Sequence, residues 1–187
     1  MDSIKRGIAA IFDFLQGIVV FLAIIVMIYL FLFSPQEING QSMEPTFFNA
    51  ELIITNKFIY KMTPPIRGDV VIFKSPKNKD IDYIKRVIGL PGDRVKLVEN
   101  TYYVNSVKLD EPYLRENTPI SGGSFLREGD EITVPEGKYF VSGDNRPHSS
   151  DSREFGTIPL EDFIGKGILL YWPANKFSPI TTPKYAI

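Results

Sequence analysis

The chain contains no cysteine and one histidine, His148. Without thiols it can build no disulfide framework, no zinc–thiolate site and no cysteine nucleophile, and a single imidazole cannot make a His-rich metal centre. Tracts of clustered Lys and Arg are also missing, and the formal net charge is −1. Phosphate binding needs clustered cations, so nucleic acid is excluded as a partner. A carboxylate-bound cation stays open, but no motif asks for one, and neither a metal nor a cofactor is expected.

What the sequence does have is one long apolar run, GIVVFLAIIVMIYLFLF from Gly17 to Phe33, with no charge in it. At about 1.5 Å per helical residue this run approaches the ~30 Å hydrocarbon core, and the preceding IAAIFDFLQ can carry the helix into the headgroups. A cleaved signal peptide is the competing reading. The run is longer than the usual apolar region of such a peptide, and no small-x-small site comes after it in FLFSPQEING, which favours a retained anchor. Lys5 and Arg6 precede the span, whereas the first charges after it are Glu37 and Glu44. That bias places the N-terminus in the cytoplasm and everything after Ser34 outside. Ser34-Pro35 should end the helix, since proline has no amide hydrogen and restricts the residue before it.

Residues 35–187 match an ordinary domain in size. Their pattern is mostly strand: 51–55, 69–75, 81–89, 93–99, 101–105, 131–134, 138–143 and 166–172 are short β-branched and aromatic runs. Pro-Pro, Pro-Gly, Asn-Ser and Gly-Asp punctuate them, which points to antiparallel sheets. Residues 113–130 read as a long loop, GDNRPHSSDSREFG as another, and Pro179–Ile187 as a loose tail.

Two short stretches invite a chemical reading. In NGQSMEPT, Asn39-Gly40 permits a sharp turn, Gln41 and Ser42 leave it with free amides, and Pro45 stiffens the chain beyond them. Ser42 is then either a turn cap or a nucleophile with amides ready for an oxyanion. A serine attacks only if a base takes its proton. His148 lies in a polar loop, as a solvated histidine would. In IDYIKRVIG, strand alternation puts Ile81, Tyr83, Lys85 and Val87 on one face and Asp82, Ile84, Arg86 and Ile88 on the other. If the first face is buried, desolvation favours a neutral Lys85 amine that can act as base. If not, Lys85 lays its methylenes on the sheet and keeps its ammonium in water. Spacing alone leaves both open.

Taken in order, SMEPT at 42–46, RGDVVIFKSP at 67–76, YIKRVIGLPGD at 83–93 and GDNRPHSSDSREFG at 143–156, preceded by an apolar N-terminal helix, resemble the boxes of bacterial type I signal peptidases. The resemblance implies a mainly β fold: an antiparallel β-sheet catalytic domain of the signal-peptidase type (35–187), preceded by one N-terminal transmembrane helix (1–34). It implies Ser42 as nucleophile and Lys85 as general base. It further implies that Ser149 hydrogen-bonds and orients the lysine amine, and that Asp151 and Arg153 form a supporting ion pair. Asp144, Asn145 and Arg146 belong to the same box. Some members carry a hydroxyl residue two positions before the nucleophile. Gly40 stands there in this chain, so the oxyanion is left to the Ser42 amide.

The substrates implied are exported preproteins whose signal peptides carry small residues, typically alanine, at the first and third positions before the cut. Ile38 and Tyr83 are the candidate substrate-binding walls. Phe47, Phe48 and Trp172 are candidates for contact with membrane lipid or for the core. The location implied is the plasma membrane of a bacterium; the oligomeric state is left open. The rival readings are a self-cleaving Ser/Lys protein of the repressor type, disfavoured by the anchor, and an inactive membrane-tethered scaffold, which has no need of Ser42, Lys85 and Ser149 together.

Overall fold

A computed structural model describes residues 2–115 and 119–186. Helix α1 (Asp2–Leu32) starts well before the apolar run proper, and its Arg6–Leu32 portion is long and apolar enough to cross a membrane. The helix stops ahead of Ser34-Pro35, and the chain enters strand β1 (Phe33–Glu37) at once. Phe33, the last apolar residue of the run, thus opens a strand. Lys57 ties the junction down, its amide donating to Leu32 O at 2.9 Å and its Nζ to Leu30 O at 3.0 Å. A cation on the last carbonyls suits the negative end of a helix.

The remaining elements are β2 (Leu52–Asn56), the short α2 (Ile59–Met62), β3 (Val70–Lys74), β4 (Asp82–Gly89), β5 (Arg94–Val98), β6 (Thr101–Val104), β7 (Val107–Lys108), β8 (Glu131–Thr133), β9 (Lys138–Ser142), α3 (Ser152–Phe155), β10 (Ile158–Pro159), β11 (Phe163–Trp172) and β12 (Ser178–Pro179). All eight strand segments expected from the sequence are present. β1, β7, β10 and β12 are additional; β1 pairs along the full length of β2, and the two-residue β7, β10 and β12 lean on longer neighbours. Strands form an 8-stranded sheet in the order β1-β2-β11-β3-β4-β9-β10, with β12 added beside β11, and a 4-stranded sheet β7-β6-β5-β8. Every pairing is antiparallel. The fold is therefore mainly β with one N-terminal apolar helix.

Three apolar clusters support these sheets. One lies between β4, β9 and the smaller sheet around Ile88, Leu97, Tyr102 and Phe140. A second gathers Ile38, Met43, Phe47, Ile53, Ile72 and Leu170 beneath the Ser42 turn. The third packs Val71, Phe73, Val87, Tyr139 and Val141 on the opposite side of the large sheet. Phe47 is thus a core residue, whereas Phe48 and Trp172 are exposed.

The structure differs from expectation at three places, one of them the segment 143–156, read as a loop, which contains the helix α3 because Asp151 caps it by accepting from the Arg153 amide. Alternation gives strand β4 one buried and one outer face, but Lys85, Arg86, Val87 and Ile88 are all buried while Ile81 is exposed. Both faces are covered because the second cluster and the third flank the large sheet and the smaller sheet caps the end of β4. The segment 179–186 is not loose: β12 pairs with β11, the Ile180 amide donates to Ile168 O at 3.0 Å, and Thr182 and Tyr185 make side-chain hydrogen bonds. Segment 113–130 does lack helix and strand among its described residues; 116–118 lie outside them.

Candidate active site

Ser42 sits on a turn that is pinned from below. Gly40 takes φ of +99°, a left-handed conformation suited to glycine, and its amide donates to Asn49 Oδ1 at 2.8 Å. Met43 and Phe47 drop into the second cluster, so the serine between them and the turn faces outward on an anchored loop. From above, the Asn145 amide donates to Ser42 O at 3.0 Å and Asn145 Nδ2 to Gln41 O at 2.9 Å. Gly143 packs so tightly that a Cβ there would lie 2.4 Å from Ser42 O and 2.2 Å from Ser149 Oγ. No group among the described residues accepts from the Ser42 amide, which leaves it free for a ligand oxygen.

Strand β4 brings Lys85 to this turn, with Lys85 Nζ 2.7 Å from Ser42 Oγ and 2.8 Å from Ile84 O. The amine also lies 5.3 Å from the centroid of the Tyr83 ring. Lys85 is only 4 % exposed. Burial lowers its pKa from 10.5 to about 8, against the pull of Asp151 and Asp144, which favour the charged form. At pH 7 about one amine in ten is then neutral, against about one in three thousand for a free lysine.

Behind the pair lies a scaffold of buried charges. Asp151 accepts from Arg153 Nε and Nη2 at 2.8 Å each, and from Ser142 Oγ and the Gly143 amide at 3.0 Å each. Burial alone would raise its pKa, but the Arg153 fork and the Gly143 amide hold the carboxyl below the usual range. Arg86 grips Asp144 through Nε at 2.9 Å and Nη2 at 2.6 Å, with both side chains at most 2 % exposed. Thr46 Oγ1 donates to the same carboxylate. Arg146 is paired with Glu111 and donates through Nε to Gly143 O at 2.8 Å.

Ser42, Lys85, Ile38 and Tyr83 come together on one cleft of about 440 Å³, whose rim includes His148 and Ser150. Ser149 sits behind it. Its Oγ is buried and has no hydrogen-bond partner, and the amine's own partners are Ser42 and Ile84, so the expected Ser149–Lys85 bond is not made here. Asp151 and Arg153 do form an ion pair. Sequence reasoning missed Arg86, which it only placed on an outer face, and Thr46, Glu111 and Tyr113. Arg86 carried a signal: a second charge inside the apolar IKRVIG run needs a buried partner. No group of three or more His, Asp or Glu that could hold a metal occurs among the described residues.

A family described as signal peptidase, peptidase S26, matches residues 11–172. Signal peptidase I P of Bacillus subtilis subsp. natto is 37 % identical over 179 residues, covering 94 % of this chain and 96 % of its own. Signal peptidase IB of Staphylococcus aureus strain COL is 36 % identical over 185 residues, covering 93 % of this chain and 96 % of its own. Signal peptidase I of Bacillus caldolyticus is 42 % identical over 164 residues, with 83 % and 88 % covered. Among solved structures, the crystal structure of a signal peptidase I from Enterococcus faecalis V583 is similar, with 36 % identity, a TM-score of 0.47, and coverage of 56 % of this chain and 97 % of that one.

Proposed function

The chain belongs to the signal peptidase family, peptidase S26, and from that premise we propose that it removes signal peptides from exported preproteins with a Ser42/Lys85 dyad. The enzyme is a serine endopeptidase of the signal peptidase I type, with preprotein signal peptides as its substrates. The observation that carries the dyad is the 2.7 Å contact between a buried amine of lowered pKa and the Ser42 hydroxyl.

Neutral Lys85 takes the proton of Ser42 as Oγ attacks the scissile carbonyl, and the Ser42 amide receives the oxyanion. The resulting ammonium gives that proton to the departing amine. Lys85, neutral again, takes a proton from the water that hydrolyses the acyl-enzyme, and returns it to Ser42. Asp151 with Arg153, and Asp144 with Arg86, fix the backbone of 142–145 against the Ser42 turn. Ser149 contributes a hydroxyl directly behind Gly143 that can swing to the amine as it charges.

The cleft suits an extended peptide. Strand β9 pairs with β4 only from Arg86 onward, so the β4 edge from Asp82 to Lys85 carries no described strand, and β1 is an edge as well. Four successive antiparallel pairings make β1 and β4 run the same way. A substrate strand can therefore bond along both edges, with alternate side chains entering the cleft. Ile38 and Tyr83 narrow that cleft, which favours small residues at the first and third positions before the cut. Anchored by α1, with its N-terminus cytoplasmic and residues 35–187 outside, the enzyme meets signal segments held in the same bilayer at high effective concentration.

Detergent-solubilised protein should cleave a preprotein with Ala-x-Ala before the cut, and lose at least about 100-fold in kcat/KM when the last alanine becomes phenylalanine. Mass spectrometry of the products locates the cut. Equal rates for the two substrates, or cutting elsewhere, would refute the proposed pocket.

A further inference from the structure

We infer that residues 180–185, at the C-terminal end of the chain, act as a strap that positions Ser42 through Tyr185, Tyr113, Arg86 and Asp144; the inference rests on the reading of Ser42 as the nucleophile. The strap is held at several points. The Ile180 amide donates to Ile168 O at 3.0 Å, Thr182 Oγ1 donates to Asp69 Oδ1 at 2.8 Å, and Tyr185 Oη donates to Tyr113 Oη at 3.2 Å. Asp69 is itself buried and paired with Lys166 at 2.6 Å, so Thr182 is fastened to a fixed point of the large sheet.

Between these points the strap lies flat on Gly68. A Cβ at that position would come within 2.9 Å of Tyr185 Cε2 and 3.0 Å of Pro183 Cδ. The Gly68 carbonyl accepts from Arg86 Nη1 at 3.0 Å, and the Tyr113 ring centroid lies 4.0 Å from the Arg86 guanidinium carbon. Tyr185 and Tyr113, joined by their hydroxyls, thus close over Arg86, which keeps 2 % of its surface exposed.

From Arg86 the contacts lead to the nucleophile by two routes. Arg86 holds Asp144, and the adjacent Asn145 donates its amide to Ser42 O and its side chain to Gln41 O. Tyr113 Oη donates to Glu111 at 2.6 Å, Glu111 pairs with Arg146, and Arg146 Nε donates to Gly143 O, the residue packed on Ser42 O. A buried ion pair keeps a single geometry while water is excluded, because the low dielectric makes any departure costly. Opening the cover hydrates Arg86, loosens 143–145, and lets Ser42 Oγ drift from Lys85 Nζ. An error of about 1 Å between reacting groups costs about a hundredfold in rate, so a partial drift costs about tenfold.

The test uses the full-length solubilised protein and a peptide containing an Ala-x-Ala site. Tyr185→Ala should lower kcat about tenfold with KM within about twofold, whereas Tyr185→Phe, which keeps the ring over Gly68, should stay within about twofold of wild type. Asn145→Ala combined with Tyr185→Ala should be no slower than the slower single variant, since both act on the same backbone. The inference is overturned if Tyr185→Ala has the kcat of wild type, if its loss is matched by a loss of folded protein in a melting curve, or if the two effects multiply. An inactive wild type would overturn the peptidase reading and this inference together. An active wild type with an unaffected Tyr185→Ala would overturn this inference alone.

Discussion

Lys85→Arg is expected to abolish cleavage, lowering kcat/KM by at least about 10³-fold, even though it preserves the charge and most of the length of the side chain. Arginine stays protonated at any working pH, so it can donate to Ser42 Oγ but never take its proton. The site also has no room for the change: Lys85 is nearly fully buried and its amine has two fixed acceptors, Ser42 Oγ at 2.7 Å and Ile84 O at 2.8 Å. Ser42→Ala should be equally inactive, for lack of a nucleophile. The pair is informative because the defects differ. Lys85→Arg keeps a hydroxyl without a base, and Ser42→Ala keeps a base without a hydroxyl, so neither should rescue the other when the two solubilised variants are mixed. A Lys85→Arg variant with substantial activity would remove Lys85 from the role of base.

The second large effect falls on stability. Asp144→Ala should destabilise the fold by about 3–5 kcal/mol, because it leaves the Arg86 guanidinium buried without its counter-charge. Both side chains are essentially inaccessible, and Asp144 also takes the Thr46 hydroxyl, so several donors lose their acceptor at once. That loss is a large part of the roughly 5–15 kcal/mol by which domains are ordinarily stable. Thermal unfolding in detergent measures it. Arg86→Met together with Asp144→Leu should recover most of the loss, since a buried ion pair replaced by apolar groups of similar size is often neutral. If Asp144→Ala melts with wild type, the buried pair does not hold the 143–145 segment and another contact must.

Much of this architecture is legible in the sequence, and the failures have physical reasons. Strands such as 69–75 and 81–89 declare themselves because β-branched and aromatic residues are concentrated in short runs between turn residues. β10 and β12 do not, because two-residue strands such as Ile158–Pro159 and Ser178–Pro179 exist only where a longer neighbour offers its edge. The C-terminal segment looks loose for a related reason: its partners, Asp69 and Tyr113, lie more than 70 positions away in the chain. Arg86 falls on an outer face by alternation, which says which side a residue takes and is silent on what covers that side. Its partner Asp144 is 58 positions distant. At the active site, Ser42 and Lys85 are each ambiguous alone, a turn hydroxyl and a strand lysine. The family resemblance joins them, and the fold brings them within hydrogen-bond distance. Ser149, expected on the amine, instead keeps an unpartnered hydroxyl behind Gly143.

The proposed chemistry turns on a lysine that is neutral when it acts, and the pH dependence of kcat/KM on an Ala-x-Ala peptide tests this most directly. Deprotonation creates the active form, so the rate should rise with pH and level off, with a midpoint at about 8 instead of the 10.5 of an unburied amine. The same midpoint should persist in His148→Ala, since that imidazole lines the cleft while the Ser42 hydroxyl is bonded to Lys85. A midpoint near the ~6.5 of histidine that vanishes in His148→Ala would contradict the Ser42/Lys85 dyad and make His148 the base.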